Sequence, residues 1–332
     1  MDTMMAANLH AVGDLRYEKV AMPQCEKDEV LVAVKFCGIC GSDVGRVFSK
    51  GTYHFPTIPG HEFSGIVEYD PQGKLTGRRV AVYPLLPCGK CEMCREQTFE
   101  LCQNYDYYGS RRDGAFAQYI AVKRWNLVML PENVTLEEGA MCEPASVARH
   151  AMVRLGVTRG QSVLISGAGP IGLLAAQWAR IFGAERVYLF DIVETKLDYA
   201  KKLGFLAYED GIAVDAALEG TGYSDALTRC LNAVKAHGRM VLMGNPAHEV
   251  ELSQQAYWNI LRKELTLTGT WNSSFSSTKN DWTASLEAMS EGKLDVMKAV
   301  SHILPLSKCQ EAFRILLDRN VFKNRVLLST WE

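Results

Sequence analysis

Residues 161–191 read QSVLISGAGPIGLLAAQWARIFGAERVYLFD, and this stretch decides the fold of the second half of the chain. A short apolar run predicts a buried strand, a glycine-rich turn follows it, and the apolar stretch after the turn has the length and spacing of a helix. A second apolar run predicts another strand. Strand, tight turn, helix and strand in this order form a βαβ unit, so the sequence predicts a parallel sheet covered by helices.

The turn in this unit has the G-x-G-x-x-G pattern of a dinucleotide-binding site, Gly167-Ala168-Gly169-Pro170-Ile171-Gly172. Gly167 permits the tight turn, Gly169 lets a pyrophosphate approach the backbone, and Gly172 lets helix and strand pack closely. Free N–H groups at the start of the helix can bind the phosphates. The alternative is a turn with only a structural role.

Asp191 ends the second strand and is a candidate for binding the adenosine ribose. Its carboxylate would accept hydrogen bonds from the ribose hydroxyls and would repel a 2′-phosphate. Ile192 and Val193 supply no positive charge to offset that repulsion, so we predict NAD rather than NADP.

The pattern of apolar residues, Gly and Pro divides the rest of the chain into regions. Up to about residue 145 it has short apolar runs broken by Gly and Pro, such as VLVAVKFCG and FSGIVEY, which predict an all-β region. The stretch EPASVARHAMVRLG, from Glu143, has helical spacing. Beyond Asp191 we predict a helix over SDALTRCLNAVKA between the strands AVDAALEG and RMVLMGN, and a further strand in LRKELTLTGTW. The tail holds the predicted helices DWTASLEAMSEG and SKCQEAFRILLDR and the strand NRVLLST.

Length and composition fit an ordinary two-domain globular protein. The chain has 332 residues, 48% of them hydrophobic, and a net charge of −2. That charge gives no reason to expect binding to nucleic acid. Neither a secretory signal nor an apolar run long enough to span a membrane is evident, so we expect no membrane association and a cytoplasmic location. The ten cysteines are then expected to be reduced and to bind metal rather than to form disulfides.

Four cysteines lie close together in PCGKCEMCREQTFELC: Cys88, Cys91, Cys94 and Cys102. Four thiolates can surround one tetrahedral zinc ion and leave no position for water, which predicts a structural ion. An iron–sulfur cluster uses similar ligands at different spacings. Four unrelated thiols are the other alternative.

A second group of metal-ligand residues is spread along the sequence. Cys40 lies in CGICGSD, His61 in PGHEFSG and Glu143 in CEPASV. Cysteine, histidine and carboxylate can form a zinc site with one open position, which catalysis requires. Ser42 could carry away the proton of a bound alcohol. From spacing alone, His61 could be a core histidine, Glu143 a helix cap, and Cys37 with Cys40 a redox pair.

Taken together and in order, CGICGSD, PGHEFSG, the four-cysteine lobe, CEPASV and GAGPIG make the chain resemble the zinc-containing medium-chain dehydrogenases along nearly its whole length. The resemblance implies an α/β protein with a GroES-like β-rich catalytic domain at 1–145. It also implies a Rossmann domain with a doubly wound parallel sheet at 146–273, and a return to the catalytic domain at 274–332. It further implies a homodimer or homotetramer.

The resemblance also implies roles for site residues. Cys40 and His61 match the family's catalytic zinc ligands, and Glu62 and Glu143 match its two carboxylates. We slightly favour Glu143 as the direct ligand when no substrate is present. Cys142 is then a packed neighbour rather than a ligand.

Within the family, PLLPCGKCEMC, YDYYGSRRDGAFAQYIAVKR and ILRKELTLTGTW resemble the galactitol-1-phosphate dehydrogenases, and the sorbitol and threonine dehydrogenases are more distantly similar. The resemblance implies a zinc- and NAD-dependent oxidation of a secondary alcohol in a polyol or polyol phosphate. The alternatives are a threonine or simple secondary-alcohol dehydrogenase, an inactive relative that binds NAD, and a zinc-ribbon interaction module without catalysis.

Two stretches depart from the family pattern. Polyol dehydrogenases often carry a histidine just after GSD, where this chain reads Val44-Gly45-Arg46, so the proton path beyond Ser42 is left open. His54 is either a substitute or an ordinary loop histidine. The segment near 204–215 is also short, which predicts that the Rossmann domain lacks an element on one face.

Four further residues are candidates for contact with the substrate. Arg46, Arg111 and Arg112 lie in stretches that border the substrate site in this family, and a guanidinium group suits a phosphate. The alternative for all three is a surface ion pair. Trp271 either forms a wall of the pocket beside the nicotinamide or packs in a core or interface.

Overall fold

The computed structural model describes residues 2–331. The strands are β1 (Thr3–Ala11), β2 (Asp14–Ala21), β3 (Glu29–Gly38), β4 (Glu62–Tyr69), β5 (Arg79–Val82), β6 (Leu85–Leu86), β7 (Asp106–Tyr107), β8 (Tyr119–Lys123), β9 (Leu127–Met129), β10 (Ser162–Ser166), β11 (Arg186–Phe190), β12 (Leu206–Ala207), β13 (Val214–Glu219), β14 (Val234–Leu242), β15 (Thr266–Gly269), β16 (Val300–Pro305) and β17 (Arg325–Ser329).

The helices are α1 (Gly41–Gly45), α2 (Glu92–Arg95), α3 (Leu136–Ala140), α4 (Cys142–Leu155), α5 (Pro170–Ile181), α6 (Glu194–Lys202), α7 (Ser224–Ala233), α8 (Gln254–Arg262), α9 (Asp281–Ser290) and α10 (Cys309–Leu317). A π-helical turn covers Arg46–Lys50, and short 3-10 turns cover Phe99–Leu101, Arg124–Asn126, Val296–Ala299 and Leu306–Lys308. In the part of the chain that the structure describes, no helix has the length and apolarity needed to cross a membrane.

The chain forms two compact units. The first runs up to Glu143 and also takes in Ser274–Gly292 and the segment from Val296 onward. The second comprises Pro144–Ser273 and Lys293–Asp295.

A mixed sheet forms the framework of the first unit. Its order is β16-β17-β3-β4-β5-β9, with β8 also paired to β3. In the pairing, Gly38 at the end of β3 faces Glu62 at the start of β4 on one side and Leu327 of β17 on the other. The end of β3, the start of β4 and the middle of β17 therefore meet next to the candidate metal ligands. The unit is β-rich as predicted, but it also holds the short helices α1, α2 and α3, which an all-β prediction omitted.

The second unit contains a six-stranded sheet in the order β12-β11-β10-β13-β14-β15. Every neighbouring pair is parallel. The central strand β10 is buried along its whole length, because helices cover both faces of a parallel sheet. The order extends in both directions from β10, the first strand of the unit, and defines the predicted doubly wound Rossmann arrangement.

The short segment near 204–215 accounts for one missing helix. The strand β12 is present, but residues 208–213 lead from it to β13 without a helix between them. The sheet therefore keeps all six strands and lacks one covering helix, as the short segment predicted. The glycine turn and Asp191 lie outside this segment.

Other elements also differ from the sequence-based predictions. The predicted helix over 224–236 ends at Ala233, because Val234 pairs with Val214 and the chain continues as the strand β14. The helix α8 and the strand β16 were not predicted. The burial pattern of β16 is partly exposed throughout, so its sequence lacks the alternation that marks a strand.

Candidate functional site

Three residues that are distant in sequence meet in the first unit. Cys40 follows β3 and precedes α1, His61 directly precedes β4, and Glu62 begins that strand. One ligand atom from each residue lies within 4.8 Å of the ligand atoms of the other two. Thiolate, imidazole and carboxylate in this arrangement suit a zinc ion with one open position.

Asp43 orients two of these residues. It is fully buried, and its Oδ1 lies 3.3 Å from Nδ1 of His61. Its Oδ2 accepts a hydrogen bond of 3.0 Å from the backbone N–H of Cys40. A carboxylate at Nδ1 leaves Nε2 as the ligand nitrogen and fixes the orientation of the ring. Asp43 lies within the quoted motif CGICGSD, yet the sequence alone did not single it out.

The charges in this group suit a cation. Burial alone would raise the pKa of Cys40, but the hydrogen bond with His61 and the charges of His61 and Arg325 lower it to about 5. Burial would likewise lower the pKa of His61, but Asp43 and Cys40 raise it well above its usual range. Both shifts favour a thiolate beside a protonated imidazole, and a zinc ion would supply positive charge in place of that proton.

Glu62 supplies a buried carboxylate to this group. It is buried, and neither of its oxygens has a hydrogen-bond partner among the described residues. Nη2 of Arg325, on β17, lies 3.1 Å from Oε1. Burial raises the pKa of Glu62 well above its usual range, while the charge of Arg325 lowers it. A buried carboxylate without hydrogen bonds beside a thiolate fits a metal ligand. Sequence reasoning missed Arg325, although a lone arginine in an apolar final strand was a usable signal.

Glu143 lies near this group but outside it. It is buried, and burial raises its pKa to about 7, with a lowering contribution from His61 and a raising one from Cys40. The 4.8 Å group contains Glu62 and not Glu143, which differs from the slight preference for Glu143. The Cys142 thiol contacts the Trp282 carbonyl oxygen at 3.8 Å, which fits a packed neighbour.

Ser42 and Arg46 are linked by a hydrogen bond. Nη1 of Arg46 donates to Oγ of Ser42 and to Oδ1 of Asp43, both at 2.9 Å. Ser42 is exposed, as a proton carrier must be. His54 contacts its own loop, with Nδ1 at 3.1 Å from the carbonyl oxygen of Pro56. Arg46 is thus engaged by a carboxylate, and His54 has a structural role in its loop.

The four cysteines of the lobe form a second group. Their ligand atoms all lie within 4.8 Å of one another. Sulfur separations of 3.5 Å for Cys91–Cys94 and 3.9 Å for Cys88–Cys94 and Cys91–Cys102 exclude disulfides. They match the edges of about 3.8 Å that a tetrahedral ion with 2.3 Å zinc–sulfur bonds requires. Backbone N–H groups of Gln103 and Cys94 lower the pKa of Cys91 to about 6, which favours the ligating thiolate.

The glycine turn in the second unit has the predicted geometry. Gly167 has a φ of 105°, which favours glycine, and a Cβ on Gly172 would lie closer than 3.0 Å to the Gly167 carbonyl oxygen. Gly169 caps α5, whose first residue is Pro170. A Cβ on Gly169 would meet no protein atom nearer than Nζ of Lys196, at 3.9 Å. The protein itself therefore does not require glycine there, whereas a closely approaching pyrophosphate does.

Asp191 lies beside this turn. Its Oδ2 accepts from the N–H of Ala168 and its Oδ1 from the N–H of Val193, both at 2.9 Å. These bonds fix the carboxylate beside the turn, and each oxygen keeps a lone pair for a ribose hydroxyl. Lys196, close to Gly169, is a cation that the sequence-based reading did not consider, although it lies five residues after Asp191.

The remaining substrate candidates occupy different surroundings. Nε of Arg112 lies 2.7 Å from Oδ2 of Asp106, so Arg112 forms an ion pair. Arg111 contacts the rings of Tyr53 and Tyr105. Trp271, in the second unit, is 50% exposed, so a core role is not supported for it.

Comparisons with known proteins agree with these two units. The model of the alcohol dehydrogenase GroES-like domain matches residues 26–132, and that of the zinc-binding dehydrogenases matches residues 170–291. The chain is 34% identical to galactitol 1-phosphate 5-dehydrogenase of Escherichia coli K12, over 95% of this chain and 97% of that one. It is 33% identical to sorbitol dehydrogenase of Bombyx mori, over 92% and 93%.

Solved structures of dehydrogenases are also similar to this chain. The crystal structure of galactitol-1-phosphate dehydrogenase from Escherichia coli has a TM-score of 0.91 at 32% identity, over 98% of this chain and 100% of that one. A putative zinc-binding dehydrogenase from Sinorhizobium meliloti, bound to NADP, has a TM-score of 0.91 at 28% identity, over 99% and 100%. The chain belongs to the zinc-binding alcohol dehydrogenase family. Within that family it is a nicotinamide-linked dehydrogenase of the polyol and alcohol type.

Proposed function

We propose that the protein oxidises a secondary alcohol of a polyol or polyol phosphate to the ketone, with NAD as the hydride acceptor. The observation that carries the proposal is the group of Cys40, His61 and Glu62 ligand atoms within 4.8 Å of one another. When bound, zinc lowers the pKa of the alcohol, and NAD accepts the hydride from its carbon. The relatives named for galactitol 1-phosphate and sorbitol support a polyol as the substrate.

The ligand residues have distinct tasks. Cys40 and His61 hold the ion, and Asp43 fixes the imidazole ring through Nδ1. Glu62 provides the third ligand, because its buried oxygens have no hydrogen bond and one of them lies in the 4.8 Å group. Glu143 is the neighbouring buried carboxylate and would be the alternative metal ligand. A zinc ion held by these three residues would have a position open for the substrate hydroxyl.

Ser42 receives the proton of the alcohol. The family's histidine is absent after GSD, and Arg46 donates to Oγ of Ser42 at 2.9 Å. A guanidinium group has no acceptor and cannot take the proton onward. Ser42 is exposed, so the proton passes from its hydroxyl directly to water.

Asp191 sets the preference for NAD. Its carboxylate is fixed beside Ala168 by a hydrogen bond of 2.9 Å, where a 2′-phosphate would meet a negative charge. The proposal includes a structural zinc in the four-cysteine lobe, a homodimer or homotetramer, and a cytoplasmic location.

The test is a substrate panel with purified protein of measured zinc content. Galactitol 1-phosphate, galactitol, sorbitol, threonine and 2,3-butanediol are each offered with NAD, and NADH formation is followed by absorbance. We expect turnover of at least one polyol or polyol phosphate. Turnover of threonine or butanediol alone would reassign the substrate, and no turnover by zinc-loaded protein would refute the function.

Two matched variants test the ligand assignment. Glu62→Gln should lower zinc occupancy of the open site, whereas Glu143→Gln should keep the zinc and lower the rate. Zinc is counted by metal analysis after dialysis. The reverse pattern would make Glu143 the direct ligand.

A further inference from the structure

We propose that Arg111, which contacts the rings of Tyr53 and Tyr105, binds the phosphate group of a phosphorylated polyol and makes polyol phosphates the preferred substrates. This inference rests on the proposed function and specifies its substrate class. It also assigns a specificity-determining residue to the site.

The geometry of Arg111 leaves its hydrogen-bonding edge available. Its Cζ lies 4.4 Å from the ring centre of Tyr53 and 4.6 Å from that of Tyr105. Two aromatic rings therefore contact the guanidinium group and restrict its movement. The N–H groups point outward in the plane of the group, and only Nη2 has a partner among the described residues, the Tyr53 hydroxyl at 3.2 Å. A planar fork held in this way suits an oxyanion.

Arg111 differs from Arg46 and Arg112 in that it has no carboxylate partner among the described residues. Arg46 contacts Asp43 at 2.9 Å, and Arg112 contacts Asp106 at 2.7 Å. Within residues 2–331, Arg111 contacts no carboxylate at ion-pair distance. Its positive charge is therefore not offset by a neighbour, and an anionic ligand can supply the missing negative charge.

Aromatic contacts link this arginine to the metal ligands. The ring of Tyr107 lies 5.6 Å from that of His61 and 6.1 Å from that of Tyr105, which packs on Arg111. Tyr107 is buried, and burial together with the charges of Glu143 and Cys40 raises its pKa well above the usual range. Neighbouring side chains thus connect the metal group to Arg111. The proposal requires the end group of an open-chain polyol, with one hydroxyl at the metal, to reach the guanidinium.

The donors favour phosphate over carboxylate. Oη of Tyr53 accepts the hydrogen bond from Arg111, so the hydrogen of its own hydroxyl group is free to be donated elsewhere. The guanidinium fork binds two oxygens, and this hydroxyl can bind a third. A phosphate monoester has three such oxygens and carries close to two negative charges at neutral pH, whereas a carboxylate has two oxygens and one charge.

The test compares Arg111→Gln with the control Arg112→Gln. The control removes a neighbouring arginine whose charge is already paired with Asp106. The substrates are galactitol 1-phosphate, galactitol and a six-carbon aldonate with a free carboxylate. Melting temperature and zinc content are measured for each variant, so that a folding defect is recognised. Binding of inorganic phosphate is measured separately by calorimetry, because this readout does not depend on turnover.

We expect the unmodified enzyme to prefer galactitol 1-phosphate and Arg111→Gln to lower kcat/KM for it by about 10- to 150-fold, mainly through KM, as for a lost charged hydrogen bond. Galactitol should be affected less than threefold, and the control should behave as wild type. Equal effects on both substrates, or a dependence confined to the aldonate, would overturn the inference. If no alcohol is oxidised, the proposed function fails. Arg111-dependent binding of inorganic phosphate would still support an anion site, and its absence would remove that site as well.

Discussion

The glycine turn permits a prediction in which two neighbouring substitutions have opposite effects. In Gly172→Ala, the new methyl group would meet the carbonyl oxygen of Gly167 well inside 3.0 Å, so methyl or oxygen has to move by more than an ångström. Overpacking of this kind costs about 1–3 kcal/mol, which lowers the melting temperature by roughly 2–12 °C. In Gly169→Ala, the methyl group meets only Nζ of Lys196 at 3.9 Å, so the folded protein keeps its stability.

For NAD binding, we expect the larger effect from Gly169→Ala, the substitution that leaves stability unchanged. The methyl group of Gly169→Ala occupies the space through which a pyrophosphate approaches the first turn of α5, whose first residue is Pro170. Loss of one charged hydrogen bond there weakens NAD binding by about 10- to 150-fold. Gly269→Ala is the control, because no atom lies within 4 Å of its Cβ and its φ is not positive. Melting curves give stability, and tryptophan quenching by NAD gives affinity. A stable Gly169→Ala that binds NAD normally would refute the phosphate role of this turn.

Three further predictions concern other sites. Cys91→Ser should remove about one zinc ion per chain and lower the melting temperature, since a closed tetrahedral site stabilises the fold; unchanged zinc by metal analysis would contradict this. Asp191→Ala should weaken NAD binding and let NADP compete, and a ratio of kcat/KM values unchanged from wild type would show that the carboxylate does not select the cofactor. Burial would raise the pKa of Asp215, but hydrogen bonds from Lys235 and Ser162 lower it to about 2. The ionised side chain therefore stabilises the fold above pH 3.8, and this stabilisation is lost as the pH falls through 2. Asp215→Asn should therefore melt earlier at pH 7 and match wild type near pH 2; an equal difference at both pH values would contradict the linkage.

Sequence reasoning captured features whose signals are local. The strand, turn and helix around Gly167 and Gly172 lie within one continuous stretch, and each residue type has a backbone reason that the sequence displays. The four cysteines of the lobe are similarly close in sequence, so their spacing alone predicts one ion. The missing helix was also visible, because a chain segment too short for a helix cannot contain one.

What sequence reasoning missed depends on pairing between distant strands. Arg325 contacts Glu62 only because β17 pairs with β3 and β3 with β4, and no local pattern records those registers. Pairing between distant residues also explains why β14 begins earlier than predicted, since Val234 pairs with Val214 of β13. The choice between Glu62 and Glu143 turns on distances of a few ångströms, which motif resemblance does not resolve.

The position of Arg325 has a consequence for how the protein is made. This arginine lies in β17, and it is the cation that faces the buried carboxylate of Glu62. During synthesis, Cys40 and His61 leave the ribosome well before Arg325, so the nascent site at first lacks its internal counter-charge. Because the arginine and a metal cation repel each other, this site attracts zinc more strongly before β17 has paired with β3 than afterwards. Zinc binding is therefore expected to begin before the first unit has finished folding.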